Sequence, residues 1–152
     1  MFKRILVPTD FSTASRLALD YAIDLSTRYG ASIDLLHVID TPADVTTYPD
    51  GFFAGLPALR EQLHEEAERQ LVLVAQICGA ANVPFSTHLS TGRAAPTIVQ
   101  QAADKDVDIV VMGTHGRSGL EHFLLGSVAE RVIRSAPCPV LTVRDRARSA
   151  SA

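Results

Sequence analysis

The stretch VDIVVMG, Val107 to Gly113, decides the fold. Ile109, Val110, Val111 and Met112 follow one another without a polar residue, between Asp108 and Gly113. A short apolar run that does not alternate predicts a strand buried on both faces, as happens in a parallel sheet with helices on either side. Working outward, further β-type runs lie at Phe2 to Val7, Ser32 to Asp40, Val83 to Gly92 (VPFSTHLSTG) and Cys138 to Arg144 (CPVLTVR).

Helical patterns separate them. Leu17, Tyr21 and Leu25 step by four beside Ala18 and Ala22, predicting an amphipathic helix over 13–29. The oxygen side chains of TDFSTAS can cap its start, and Gly30 stops it. Leu59, Leu63, Ala67 and Leu71, then Val74 and Cys78, predict a long surface helix from Leu56 to Ala81, with Glu61, Glu65, Glu68 and Arg69 on its other faces. A short helix follows over 93–103, with Pro96 tolerated in its first turn, and another over Ser127 to Ser135.

The order β-α-β-α-β-α-β-loop-α-β predicts one α/β domain, an open doubly wound five-stranded parallel sheet of order 3-2-1-4-5 with helices on both faces. In such a sheet a ligand sits beyond the carboxyl ends of the strands, where the strand order reverses. That crevice lies between the first and fourth strands, which leave through VPTD, ending at Asp10, and VMGTHG.

Composition narrows the function. The chain has 152 residues, 47% hydrophobic and 20% charged, the size and balance of one globular domain. A net charge of -3 with no Lys/Arg block argues against a general nucleic-acid binder. Arg144, Arg146 and Arg148 are interrupted by Asp145, so residues 145–152 read as a flexible tail behind a domain over 1–144. Pro8 and Asp10 cut the first apolar run short of a signal-peptide core, and no later run reaches membrane-spanning length. Cys78 and Cys138 have neither metal-like nor redox spacing and are expected to be buried free thiols. A cytoplasmic protein without membrane or nucleic-acid partners is expected.

The fourth strand runs into GTHGRSGLEHFLLGS, Gly113 to Ser127. Gly113 and Gly116 can let backbone amides converge on an anion, and Gly126 and Ser127 open a helix whose free amides form a second anion site. Ser127 and Glu130 also have capping-box spacing, which by itself accounts for Ser127. It does not account for a connection of thirteen residues, Gly113 to Leu125, where about 2–6 suffice. A phosphate cradle and a structural loop both stand at this point.

Other chemistries fall away. Asp10, His115 and Ser127 are the residue types of a hydrolase triad, but no G-x-S-x-G elbow exposes the serine. Neither G-x-x-x-x-G-K-[ST] nor G-x-G-x-x-G occurs, and HLSTG at the end of the third strand lacks the aspartate of a phosphoreceiver. His37, His64, His88, His115 and His122 have no zinc-like spacing and read as surface or packed residues.

ILVPTDFS, LLHVID, VVMGTHGRSG and LLGSVAERVIRSAPCPVLTVR together resemble the universal stress proteins over nearly the whole chain. Gly113, Gly116, Gly126 and Ser127 match in full the G-x2-G-x9-G-[ST] signature of the nucleotide-binding branch. The resemblance implies an adenine nucleotide alpha hydrolase-like fold and ATP as ligand, with Mg²⁺ left open. It places Pro8, Thr9 and Asp10 on the adenosine side, with the Asp10 carboxylate accepting from ribose hydroxyls, and the Val38 backbone at the adenine. Met112, Gly113 and Gly116 would pass under ribose and phosphates, Gly126, Ser127 and Val128 would cap the phosphates, Arg117 would add a phosphate contact, and His115 is counted among the nucleotide-binding residues. Asp10 can equally form an Asx turn into the first helix.

No general base, arginine finger or carboxylate dedicated to Mg²⁺ stands out, so a nucleotide-dependent sensor or switch in stress response is expected rather than an enzyme. The loop from Gly113 to Ser127 would carry the coupling. A slow ATP-hydrolysing enzyme and a nucleotide-free protein scaffold are the alternatives. Family resemblance also implies a homodimer, paired through the last strand, Pro139 to Arg144. The loop from Thr41 to Leu56, with Phe52 and Phe53, reads as a lid, a contact for a second chain, or a surface loop with its aromatics tucked onto the core.

Overall fold

A computed structural model describes residues 2–40, 56–114 and 125–145 of the chain. Its elements are β1 (Arg4–Pro8), α1 (Thr13–Tyr29), β2 (Ser32–Asp40), α2 (Leu56–Ala80), β3 (Phe85–Gly92), α3 (Ala94–Asp104), β4 (Ile109–Gly113), α4 (Ser127–Ser135) and β5 (Val140–Val143). The five strands form one parallel sheet in the expected order β3-β2-β1-β4-β5. Strand starts shift from the sequence-based expectation: β1 begins at Arg4 rather than Phe2, β3 at Phe85, β4 at Ile109 and β5 at Val140. Asp108 explains two of these starts. Its carboxylate accepts the backbone amides of Lys3 at 2.7 Å and Arg4 at 2.9 Å, fastening the lead-in to β4 onto the start of β1. Those two amides hold the Asp108 carboxyl below the usual carboxylate range.

Alternation along the inner strands divides the core. Ile5, Val7, Ile33, Leu35 and Val111 face α1 and α2. Leu6, Leu36, Val110 and Met112 face α3 and α4. The central pairs Ile5↔Ile109 and Leu6↔Val110 put β1 against β4 at the point where strand order reverses.

Both long helices correct their predicted stripes. Small residues, Ala14, Ala18 and Ala22 with Ser15, Leu19 and Ser26, form the buried face of α1, while Tyr21 is 56% exposed and Leu17 and Leu25 only flank the core. The start of α1 lies against Gly113 of β4, within 3.0 Å of where a Cβ would stand. In α2 the stripe is buried from Ala67 onward through Leu71, Ala75 and Cys78, whereas Leu59 and Leu63 are about half exposed because nothing among the described residues covers the first turns. The α1 caps follow the sequence. Ser12 Oγ accepts the Ser15 amide at 3.2 Å, and Gly30 ends the helix at φ 67°, in the left-handed region glycine adopts freely. The two thiols are free, Cys78 buried and Cys138 partly so.

A polar cluster closes the amino-terminal side of the α3 face. Asp34 on β2 is buried, and its Oδ1 meets Ser86 Oγ at 2.7 Å, His88 Nε2 at 2.7 Å and Lys105 Nζ at 3.3 Å, with Arg4 Nε 3.7 Å from Oδ2. Burial works to raise the Asp34 pKa, but the hydrogen bonds from Ser86 and His88 and the Lys105 charge outweigh it, so the carboxyl titrates below its ordinary range. A depressed folded pKa gives stability that is present above the unfolded carboxylate value and lost as pH falls through the folded one. Asp34→Asn is therefore expected to lower unfolding stability by about 2 kcal/mol near pH 7. The difference from wild type should shrink below about pH 3.9, as measured by denaturant unfolding at both pH values.

Candidate functional site

The carboxyl ends of β1 and β4 open into a cleft lined by fifteen of the described residues, among them Pro8, Thr9, Asp10, Val38, Met112, Gly113, Gly126, Ser127 and Val128. These are nine of the site residues expected from the sequence; His115, Gly116 and Arg117 lie outside the described residues, as do residues 41–55 with Phe52 and Phe53. The remaining lining, which sequence reasoning did not single out, is Ser15, Leu36, Ala94, Ile98, Thr114 and Ala129. Leu36 had a signal, since it lies two residues before Val38 and so on the same face of β2. Ala94 and Ile98 arrive from the start of α3, a neighbour that no local pattern reveals.

The turn leaving β1 is tied down by hydrogen bonds at Thr9, Asp10 and Phe11. Thr9 donates its amide to the Leu36 carbonyl at 2.8 Å. Its own carbonyl lies 2.7 Å from His37 Nδ1, so that nitrogen carries the proton. Asp10 Oδ1 accepts the Ser12 amide at 3.0 Å, the Asx turn expected as one of its two roles. Phe11 has φ 65°, a conformation rare for a bulky side chain, and it donates its amide to Thr9 Oγ1 at 3.1 Å. Its ring stacks on the buried His37 imidazole at 4.3 Å.

Gly113 is glycine for a reason the loop pattern does not suggest. A Cβ there would lie 2.9 Å from the backbone carbon and Cβ of Ala14 and 3.0 Å from the Ser15 amide. The side chain is absent so that the start of α1 can press against the end of β4. Thr114 then donates its amide to the Val143 carbonyl at 3.0 Å and accepts the Gly126 amide at 2.6 Å. Both ends of the glycine-rich connection are thus joined to each other and to β5.

At the far end of that connection the capping box does not form. Gly126 is the N-cap of α4 and Ser127 its first residue, so the frame is one residue earlier than Ser127 and Glu130 require. The Glu130 amide bonds to the Gly126 carbonyl at 2.9 Å, and its carboxylate pairs with Arg134 at 2.8 Å. Gly126 has no side chain to cap the first amides of α4, which open on the cleft, and α3 also begins without a side-chain cap at Arg93. The same cleft is lined by the apolar side chains of Leu36, Val38, Ile98, Met112 and Val128. A flat apolar group and an attached anion fit this division, the anion favoured at the positive end of α4. Asp10 is the one charged residue among the described residues that line the cleft. Among the described residues no three His, Cys, Asp or Glu side chains are grouped to hold a metal ion, and no helix is long and apolar enough to cross a membrane.

An open doubly wound sheet with a cleft at its switch point is an architecture that receives ligands beyond the carboxyl ends of its strands. Residues 1–144 match the family model of the universal stress protein family, and the chain belongs to that family. Universal stress protein MJ0531 of Methanocaldococcus jannaschii is 38% identical over 150 residues, covering 95% of this chain and 83% of that protein. The solved structure of MJ0577 from the same organism superposes with a TM-score of 0.84 at 34% identity, covering 95% of this chain and 97% of the other. A universal stress protein family member from Arabidopsis thaliana, solved with AMP bound, shares the fold with a TM-score of 0.69 at 20% identity over 97% of this chain and 94% of that one.

The Gly113 geometry yields a direct expectation. Gly113→Ala should destabilise the fold by about 1–3 kcal/mol, because Ala14 and Ser15 present backbone atoms that cannot swing aside. Thermal unfolding checks this; a variant as stable as wild type would mean that α1 is not held so close to β4.

Proposed function

We propose that the protein binds ATP in the switch-point cleft and acts as a nucleotide-dependent sensor or switch in stress response. The observation that carries this reading is the first turn of α4, without a side-chain cap at Gly126, facing the same cleft as the apolar wall of Leu36, Val38 and Ile98. The wall takes the base. Asp10, already oriented by the Ser12 amide, takes ribose hydroxyls, and the amides of α4 with the Ser127 hydroxyl take phosphate. AMP in the Arabidopsis relative supports an adenine nucleotide as the ligand class. Gly116 belongs to this reading through the family signature, and His115 and Arg117 through the wider family resemblance.

The role proposed is binding rather than turnover, since efficient phosphoryl transfer needs several charges placed around the phosphates and Asp10 belongs to the ribose side in this reading. The partner proposed is a second copy of the chain, paired through β5. Among the described residues that strand pairs with β4 alone, and Leu141 on it is 36% exposed, leaving an edge that needs a cover. A cytoplasmic location belongs to the same reading.

Denaturing the purified protein and identifying released nucleotide by mass spectrometry, followed by calorimetric titration with ATP, tests the proposal, with light scattering reporting the mass. Wild type is expected to carry or bind ATP as a dimer. Gly126 has φ -72°, so valine is conformationally acceptable there. Gly126→Val should remain folded and bind at least about tenfold more weakly, a loss of about 1.4 kcal/mol. A wild type that is empty and binds no ATP, or a variant that binds as well, would overturn the nucleotide reading; a monomer would overturn the β5 pairing alone.

A further inference from the structure

We infer that His37, which does not line the cleft, is a positioning residue that sets the pose of Asp10 by gripping the β1–α1 turn from behind. This inference rests on the proposed nucleotide reading for its functional consequence, though its structural content stands apart from it. Successive residues of β2 point to opposite faces, so Leu36 and Val38 line the cleft while His37 projects toward α1. The residue is only 9% exposed.

Two contacts do the gripping. The Nδ1–H of His37 donates to the Thr9 carbonyl at 2.7 Å, while the Leu36 carbonyl takes the Thr9 amide at 2.8 Å. Both peptide groups of Thr9 are therefore bonded to β2, and the plane of the Thr9–Asp10 peptide is set. The second contact is the stacked pair of Phe11 and His37, with centroids 4.3 Å apart and planes inclined by 28°. Phe11 stands at φ 65°, where a bulky residue is strained and persists only if its surroundings hold it. The imidazole is what it rests on, and the Thr9 Oγ1 bond to its amide closes the turn. Asp10 lies between the two gripped residues, so its carboxylate inherits their geometry. A residue one shell behind the ligand can tighten binding by removing the freedom of the group in front.

Asparagine and phenylalanine separate the two contacts, the first keeping an amide donor and the second keeping the ring. His37→Phe is expected to raise hydrogen exchange of the Phe11 and Ser12 amides at least about tenfold over that of strand amides such as Val110. It should also weaken ATP binding about tenfold, the effect of losing one orienting hydrogen bond. In an Asp10→Ala background the same substitution should change ATP affinity less than about twofold, because it acts through that carboxylate. His37→Asn should recover part of both losses. Unchanged exchange in His37→Phe, or an equal loss of affinity in the Asp10→Ala background, would overturn the inference. Should His37→Phe fail to fold, Phe11→Leu removes the stack with the histidine intact and is read in the same two ways. A wild type that binds no ATP would overturn the nucleotide reading, and the exchange measurement alone would then decide whether His37 holds the turn.

Discussion

The missing side chain at Gly113 is the constraint on which the rest of the site depends. With no Cβ there, the start of α1 approaches the end of β4 to distances that a larger residue forbids. The approach draws Ala14, Ala18 and Ala22 onto the sheet and leaves Tyr21 facing outward. It also brings the turn from Pro8 to Ser15 alongside β4, so that Asp10 and Ser15 border the same cleft as Met112 and Thr114. A bulkier residue would push α1 outward and separate the two strand ends that make the switch point.

The two ends of the sheet use polar groups in opposite ways. At the amino end they are closed upon one another, with Asp108 holding the amides of Lys3 and Arg4 and Asp34 gathering Ser86, His88 and Lys105. At the carboxyl end, α3 and α4 start without side-chain caps, and the Thr114 peptide joins Gly126 to the β5 residue Val143. Polar groups satisfied internally make a stable end, and helix amides left facing a cleft make an end suited to a ligand. The Thr114 bonds also link the cleft to the edge strand proposed for subunit pairing.

Much of this was legible in the sequence where the signal is local or carried by spacing. The unbroken run Ile109 to Met112 predicted the central strand, and the order of elements predicted the sheet and its switch point. The glycine and serine spacing brought Gly126 and Ser127 to the cleft. What was not legible depends on tertiary packing. The four-residue steps of Leu17, Tyr21 and Leu25 marked only the flank of the buried face of α1, whose centre is the Ala18 and Ala22 beside them together with Leu19. Leu59 and Leu63 continue the α2 stripe into turns that nothing among the described residues covers. The capping-box pattern at Ser127 and Glu130 failed because Gly126 takes the N-cap and Arg134 takes the glutamate. Ile98 and His37 act across elements, so their places follow only from the assembled sheet.

On the proposed reading the carboxyl end of this sheet, and not its amino end, receives a nucleotide through the first turn of α4. The measurement that tests it most directly is an amide NMR titration of isotope-labelled protein with ATP. The largest shifts are expected at Ser127, Val128, Ala129, Val38 and Asp10, with Asp34, Ser86 and Asp108 unmoved. Shifts centred on Asp34, His88 and Lys105, or no shifts at saturating ATP, would contradict it.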